Sequence, residues 1–273
     1  MFLPKLFAKL APLRPSLFTL LFVFLILLLS DGLQAQIVNI QPELRKKTKD
    51  GFAGKMDYLL EWQTGNTNLF KTEGGLILKY RQRDHLILGL LTGGIAETSG
   101  EEYVNKYMGH IRYLYHITQW LAGETFGQYE EDKFKRIDKR MLAGIGPRLT
   151  LPIDSKWIEI SLGSAYMLEY NRNSTGPYLD SGLEDTYHRW SNYINLDIPV
   201  SDDIYFFSTF YIQPRWDQFS DYRLLNDNSI NIKINKFFAF KLAAIISYDS
   251  APLESVEALN TSLKTSLSLS YGP

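Results

Sequence analysis

The sequence predicts an all-β fold, a transmembrane antiparallel up-and-down β-barrel of about twelve strands, and three observations predict it. Residues 138–170, DKRMLAGIGPRLTLPIDSKWIEISLGSAYMLEY, read as one long hairpin with a greasy outer face and a polar inner face. Met141, Ala143, Ile145, Pro147 and Leu149 alternate with Arg140, Leu142, Gly144, Gly146 and Arg148. Successive side chains of a strand point to opposite sides, so a period of two means two environments. The arms exceed the roughly five or six residues of a soluble strand and the roughly 9–11 that cross a bilayer as tilted β. Next, connections alternate between short and long along the chain, as periplasmic turns and exterior loops do. Finally, the composition is 45% apolar and 14% aromatic, yet no late segment is apolar for long enough to cross as a helix. Hydropathy averages out when only alternate residues face lipid.

From the N-terminus, Lys5, Lys9 and Arg14 precede an apolar run at 17–29 that only Thr19 interrupts. The run is shorter than the roughly 18 residues of a membrane helix, and small residues follow it up to Ala35. This predicts a secretory signal peptide at 1–35. Residues 36–50 are polar and aperiodic and carry Arg45-Lys46-Lys47-Thr48-Lys49. They are read as a periplasmic N-terminal lead-in, a solvated tail. Residues 51–273 are expected to form an outer-membrane β-barrel.

Strands are expected near 52–64, 68–81, 85–96, 105–118, 120–131, 138–151, 157–170, 187–199, 204–215, 222–234, 237–249 and 260–271. The short connections are Gln82-Arg83, Gln119, Pro152–Lys156, Asp202-Asp203 and Asn235-Lys236. The long ones are 97–104, 132–137, 171–186, 217–221 and 250–259, with a short exception at Gly65-Asn66. An even strand number puts both termini on the periplasmic side. The last strand sets Thr261, Leu263, Leu267, Leu269 and Tyr271 on one face, an ending that resembles the signal read by the barrel-assembly machinery.

The inward face is charged. Arg112, Arg140, Arg148, Glu159, Glu169, Lys241 and Asp249 are the lumen-facing candidates, alongside Lys55, Asp57, Lys71, Glu73, Lys79, Glu124 and Arg189. Mixed signs in a narrow interior make either a water-filled path or a cross-linked plug.

Composition excludes several classes. The chain has no cysteine, so disulfides, thiolate chemistry and Cys-type zinc sites are absent. Removing 1–35 leaves 26 basic against 29 acidic residues, which gives no basic excess for nucleic acid.

With these residues laid out, the chain resembles the YdiY-like family of salt-induced outer membrane proteins. The carrying features are Gly65-Asn66, Asp138-Lys139-Arg140 running on to Gly144-Ile145-Gly146, the Glu169 strand, and Tyr248-Asp249-Ser250-Ala251-Pro252. The likeness spans the mature chain. It implies an outer-membrane barrel whose molecular function is not established and carries over no catalytic residue.

Candidate chemistry is sparse. A membrane-embedded lipid-modifying hydrolase needs a His and a Ser on one strand face. His188 and Ser191 are three apart, so a regular strand puts them on opposite faces. His110 and His116 share a face but stand some 20 Å apart, too far to hold one metal. Glu97, Glu101 and Glu102 read as a solvated acidic loop rather than a divalent-cation site. No catalytic residue, cofactor or metal is expected. The expected partners are outer-membrane lipids, lipopolysaccharide and the assembly machinery. The expected function is a narrow passive pore or a structural envelope protein in a Gram-negative outer membrane.

Overall fold

A computed structural model describes residues 39–44, 50–64, 68–98, 100–153, 157–174, 183–253 and 256–271. The expected signal peptide, the basic cluster at 45–49, Gly65-Asn66, Gly176-Pro177 and the side chains of Glu101 and Glu102 lie outside the described residues.

Period-two patterning gives twelve strands: β1 (Gly51–Gln63), β2 (Leu69–Gln82), β3 (His85–Thr98), β4 (Glu101–His116), β5 (Leu121–Asp132), β6 (Ile137–Thr150), β7 (Glu159–Asn173), β8 (Leu183–Pro199), β9 (Ile204–Pro214), β10 (Tyr222–Lys233), β11 (Phe238–Asp249) and β12 (Leu259–Tyr271). Each pairs antiparallel with its sequence neighbours, and β1 pairs with β12 to close the barrel. The seam runs from Gly54–Tyr271 to Tyr58–Leu267. Closure leaves no open edge, which a sheet in hydrocarbon requires, because water is not there to satisfy its amides. The described residues contain no helix long and apolar enough to cross a membrane.

The outer wall is apolar. Trp62 of β1 is 78% exposed on it, and Trp190 of β8 stacks there on Trp216. Leu60, Ile111, Ile145 and Leu267 are each more than half exposed. A water-soluble protein would bury many of these side chains, whereas a lipid-facing belt displays them.

Element ends differ from expectation in three places. Residues 97–104 are not a long acidic loop: β3 runs to Thr98 and β4 starts at Glu101, so Glu97, Glu101 and Glu102 belong to strands, and Glu97 pairs with Glu102. Residues 171–186 are not all loop: β7 runs to Asn173 and β8 starts at Leu183. Arg172 pairs with Glu184 across that extension, and opposite charges facing across strands favour continued pairing. The strand expected to reach 118 stops at His116. There the Thr118 hydroxyl accepts the amides of Trp120 and Leu121, at 3.2 and 3.0 Å, and folds the chain into a turn.

The lead-in also differs. Residues 39–44 are not a solvated tail. Gln41–Leu44 form a single 3-10 turn, and Ile40, Gln41 and Leu44 are at most 3% exposed. Ile40 and Leu44 pack on Leu86, Leu88 and Leu90 of β3 and on Met108 and Leu114 of β4. All five belong to the inward-facing set of their strands, so the turn sits inside the barrel. Burying two such side chains contributes roughly 3–6 kcal/mol.

Packing inside is tight where β6, β7 and β8 meet. A Cβ on Gly163 would fall within the ring of Tyr193. Gly163→Val should therefore expel that ring and cost about 1–3 kcal/mol of stability, read as a lower urea midpoint. An unchanged midpoint would show that the ring has room to move.

Candidate functional site

The lumen is organised in three levels. Near the ends of β6–β11 that carry the longer loops, Glu169 is fully buried and central. Arg189 Nε donates to its Oε2 at 2.7 Å, and an Arg223 guanidinium nitrogen donates to its Oε1 at 2.7 Å. Asn171 donates to Oε1 at 2.6 Å, and Arg140 Nε lies 3.5 Å away. Each arginine then reaches a second acid. Arg189 bonds Asp221 at 3.0 Å, Arg223 bonds Asp249 at 3.0 Å, and Arg140 stands 3.7 Å from Glu130. Arg215 extends the lattice to Asp221 and Asp217, at 3.1 and 2.6 Å. Four guanidiniums thus alternate with carboxylates in fixed geometry. The Arg189, Arg215 and Arg223 bonds are short because both partners are charged, and the planar fork fixes their direction, whereas Arg140 Nε donates to Asn171 Oδ1 at 2.8 Å and meets its acids at longer range. Lys135, in the connection after β5, lies 3.3 Å from Asp132. Burial pushes its ammonium down, against the pull of Glu130 and Asp132.

At mid-depth Arg112 donates to Glu124 at 3.0 Å, and its guanidinium stacks 4.7 Å from the Phe126 ring centroid. Tyr193 donates to the same Glu124 oxygen at 3.1 Å and accepts from Arg148 at 2.8 Å. His110 is buried against Phe126 and bonds Gln128 at 3.1 Å.

The third level is the turn at 39–44. The Gln41 amide donates to Tyr211 of β9 at 2.9 Å and accepts from Arg148 of β6. Glu43 takes the Lys55 ammonium of β1 at 3.1 Å, and its carbonyl takes Lys79 of β2 at 3.3 Å. With the leucines of β3 and β4, these contacts tie one short segment to opposite walls of the bore. Two sizeable lumen cavities remain among the described residues. One, of about 130 Å³, lies beside Arg140, Arg189 and Arg223. The other, of about 260 Å³, lies beside Glu73, Lys106 and Lys264.

Of the candidates named from the sequence, Arg140, Glu169 and Asp249 meet in the arginine lattice. Arg112 and Arg148 meet through Glu124 and Tyr193. Glu159 stands apart, beside His116 and Arg148 near the short turns. Lys241 lines the larger cavity with Asp227. His188 is exposed on the outer wall and bonds Tyr166, whereas Ser191 is buried inside and bonds Gln213. The two cannot act together. Ile40, Gln41 and Leu44 were missed. The signal for them was the run Leu86, Leu88, Leu90 with Leu114: apolar side chains on a lumen face that should be polar.

The family model described as "Protein of unknown function, DUF481" matches residues 60–272. Among solved structures, the NanC porin is 8% identical with a TM-score of 0.47, over 81% of this chain and 100% of that one. The KdgM porin is 9% identical at 0.41, over 82% and 99%. The translocator domain of the autotransporter NalP from Neisseria meningitidis is 10% identical at 0.44, over 84% and 90%. No curated protein matches the chain in sequence.

Proposed function

This chain belongs to the family described as Protein of unknown function, DUF481, the YdiY-like outer-membrane β-barrels, and we propose that it is a narrow passive conduit held shut by its own N-terminal segment. The observation that carries this is the burial of Ile40, Gln41 and Leu44 inside the bore, fastened to strands on both sides. A barrel of twelve strands is wide enough to need filling and narrow enough for six residues to fill one end. The reading is non-enzymatic, because the one His/Ser pair that invites a hydrolase faces two different sides of the wall. Lipid and lipopolysaccharide would surround the apolar belt, and the assembly machinery would insert it.

The test is single-channel conductance of the refolded barrel in a planar bilayer. The intact chain should be silent or open only briefly. Ile40→Asp with Leu44→Asp puts two charges into an apolar seat and should give long, discrete openings. Silence from both, with heat-modifiable folded protein in each case, would overturn the conduit. The second reading, a structural envelope protein, would then stand on the arginine lattice alone.

A further inference from the structure

A cationic cluster of a different kind from the arginine lattice borders the larger cavity, which Lys106 and Lys264 line. Lys71, Lys106 and Lys264 converge on the single carboxylate of Glu73. Lys71 Nζ lies 3.5 Å from Oε1, and Lys106 and Lys264 lie 3.6 and 3.5 Å from Oε2. A charge-assisted N–H···O bond is roughly 2.7–2.9 Å long. All three contacts are longer, so Glu73 is shared and saturates none of its partners. Among these direct contacts one carboxylate faces three ammonium groups.

Accessibility separates the two clusters as well. Arg140, Arg189 and Arg223 are at most 12% exposed, whereas Lys71, Lys106 and Lys264 are 29, 23 and 37% exposed. Two further acids and one further lysine line the same cavity: Asp57, which takes the Ser268 hydroxyl, Asp227 and Lys241. Lys106 and Lys264 approach the same oxygen of Glu73 and are therefore close neighbours, from β4 and β12, facing one cavity.

We propose that Lys106 and Lys264, with Lys71 beside them, form a binding site for a small oxyanion inside the lumen. Ammonium groups are compact charges with rotatable donors and impose no planar fork, so they suit a tetrahedral or a carboxylate oxyanion alike. An anion bridging the two would complete the neutralisation that Glu73 begins. Glu73 would hold the lysines in place and keep the empty site from repelling itself apart. The site does not require the lumen to conduct.

The test is lysine acylation of the folded barrel in detergent, read residue by residue by mass spectrometry. Inorganic phosphate, acetate and glucose are each added at equal concentration. Lys236 lies exposed in the turn between β10 and β11 and serves as the internal reference. Phosphate or acetate should slow acylation of Lys106 and Lys264 several-fold and leave Lys236 unchanged, and glucose should do nothing. In equilibrium dialysis, Lys106→Gln with Lys264→Gln should weaken phosphate binding about tenfold or more, because both like charges beside the anion are removed at once. Equal slowing at Lys236, equal slowing by glucose, or no slowing at all would overturn the site. The footprint uses the native chain, so it decides the matter even if the double variant does not fold.

Discussion

Glu169→Ala is expected to destabilise the barrel by about 3–5 kcal/mol, the usual cost of removing one partner from a buried ion cluster. The carboxylate is fully buried and touches three guanidiniums and the Asn171 amide. Deleting it leaves Arg140, Arg189 and Arg223 facing one another, with Asp221, Asp249 and Glu130 placed only at the rim of the group. Like charges at this spacing repel strongly when water is sparse. Glu169→Gln keeps the shape and two acceptor lone pairs, so it should cost less than alanine but remain well below wild type. The measurement is urea unfolding in detergent, followed by loss of the heat-modifiable band. A cost under about 1 kcal/mol for the alanine variant would mean that the lattice is solvated and screened like a surface pair. The same variant informs the structural reading: if function lies in rigidity, this is where it would fail first.

Much of this architecture was legible in the sequence because strand periodicity is local. The alternation in 138–170 separates lipid-facing from lumen-facing side chains without knowledge of any partner strand. The same rule places Arg140, Glu169 and Asp249 on one side of their strands. What it does not give is who meets whom. Arg223 joins Glu169 to Asp249 across three strands, and that follows from register and stagger, which no single strand encodes. Turn chemistry was partly legible: Thr118 is a recognisable backbone-capturing residue, but a strand that ends one or two residues early leaves no change in pattern. The N-terminal turn was hidden for a different reason. Six residues contain too few repeats to show a period, and Gln41 finds Tyr211 170 positions away. The sign of it lay elsewhere in the chain, on β3. Leu86, Ile87, Leu88, Leu90 and Leu91 are apolar on both faces, and a lumen wall that is apolar has to be covered by something apolar. Faces that break the expected pattern are thus informative about missing partners, as well as about strand placement.

That partner should be releasable by acid, through Glu43. Burial alone would raise its carboxyl pKa, but the ammoniums of Lys55 and Lys79 outweigh burial and hold it below the ordinary value of 4.5. A carboxyl with a depressed pKa stabilises the seated state fully at any pH above 4.5, and that contribution is lost as pH falls through the depressed value. The shut state should therefore persist from neutral pH down to about 4.5 and give way to frequent openings only below it. Protonation removes the Lys55 ion pair while leaving Ile40, Leu44 and Gln41 in place, so opening should be flickering rather than permanent. Glu43→Gln makes the same loss at every pH. Its openings should already be frequent at neutral pH and should change little on acidification. Conductance recorded from neutral to strongly acid pH, on both proteins, separates the explanations. A transition centred well above 4.5 would assign control to a group other than Glu43. Identical acid responses in wild type and Glu43→Gln would remove Glu43 from the latch and leave the apolar seat on Leu86, Leu88 and Leu114 as what holds the segment in.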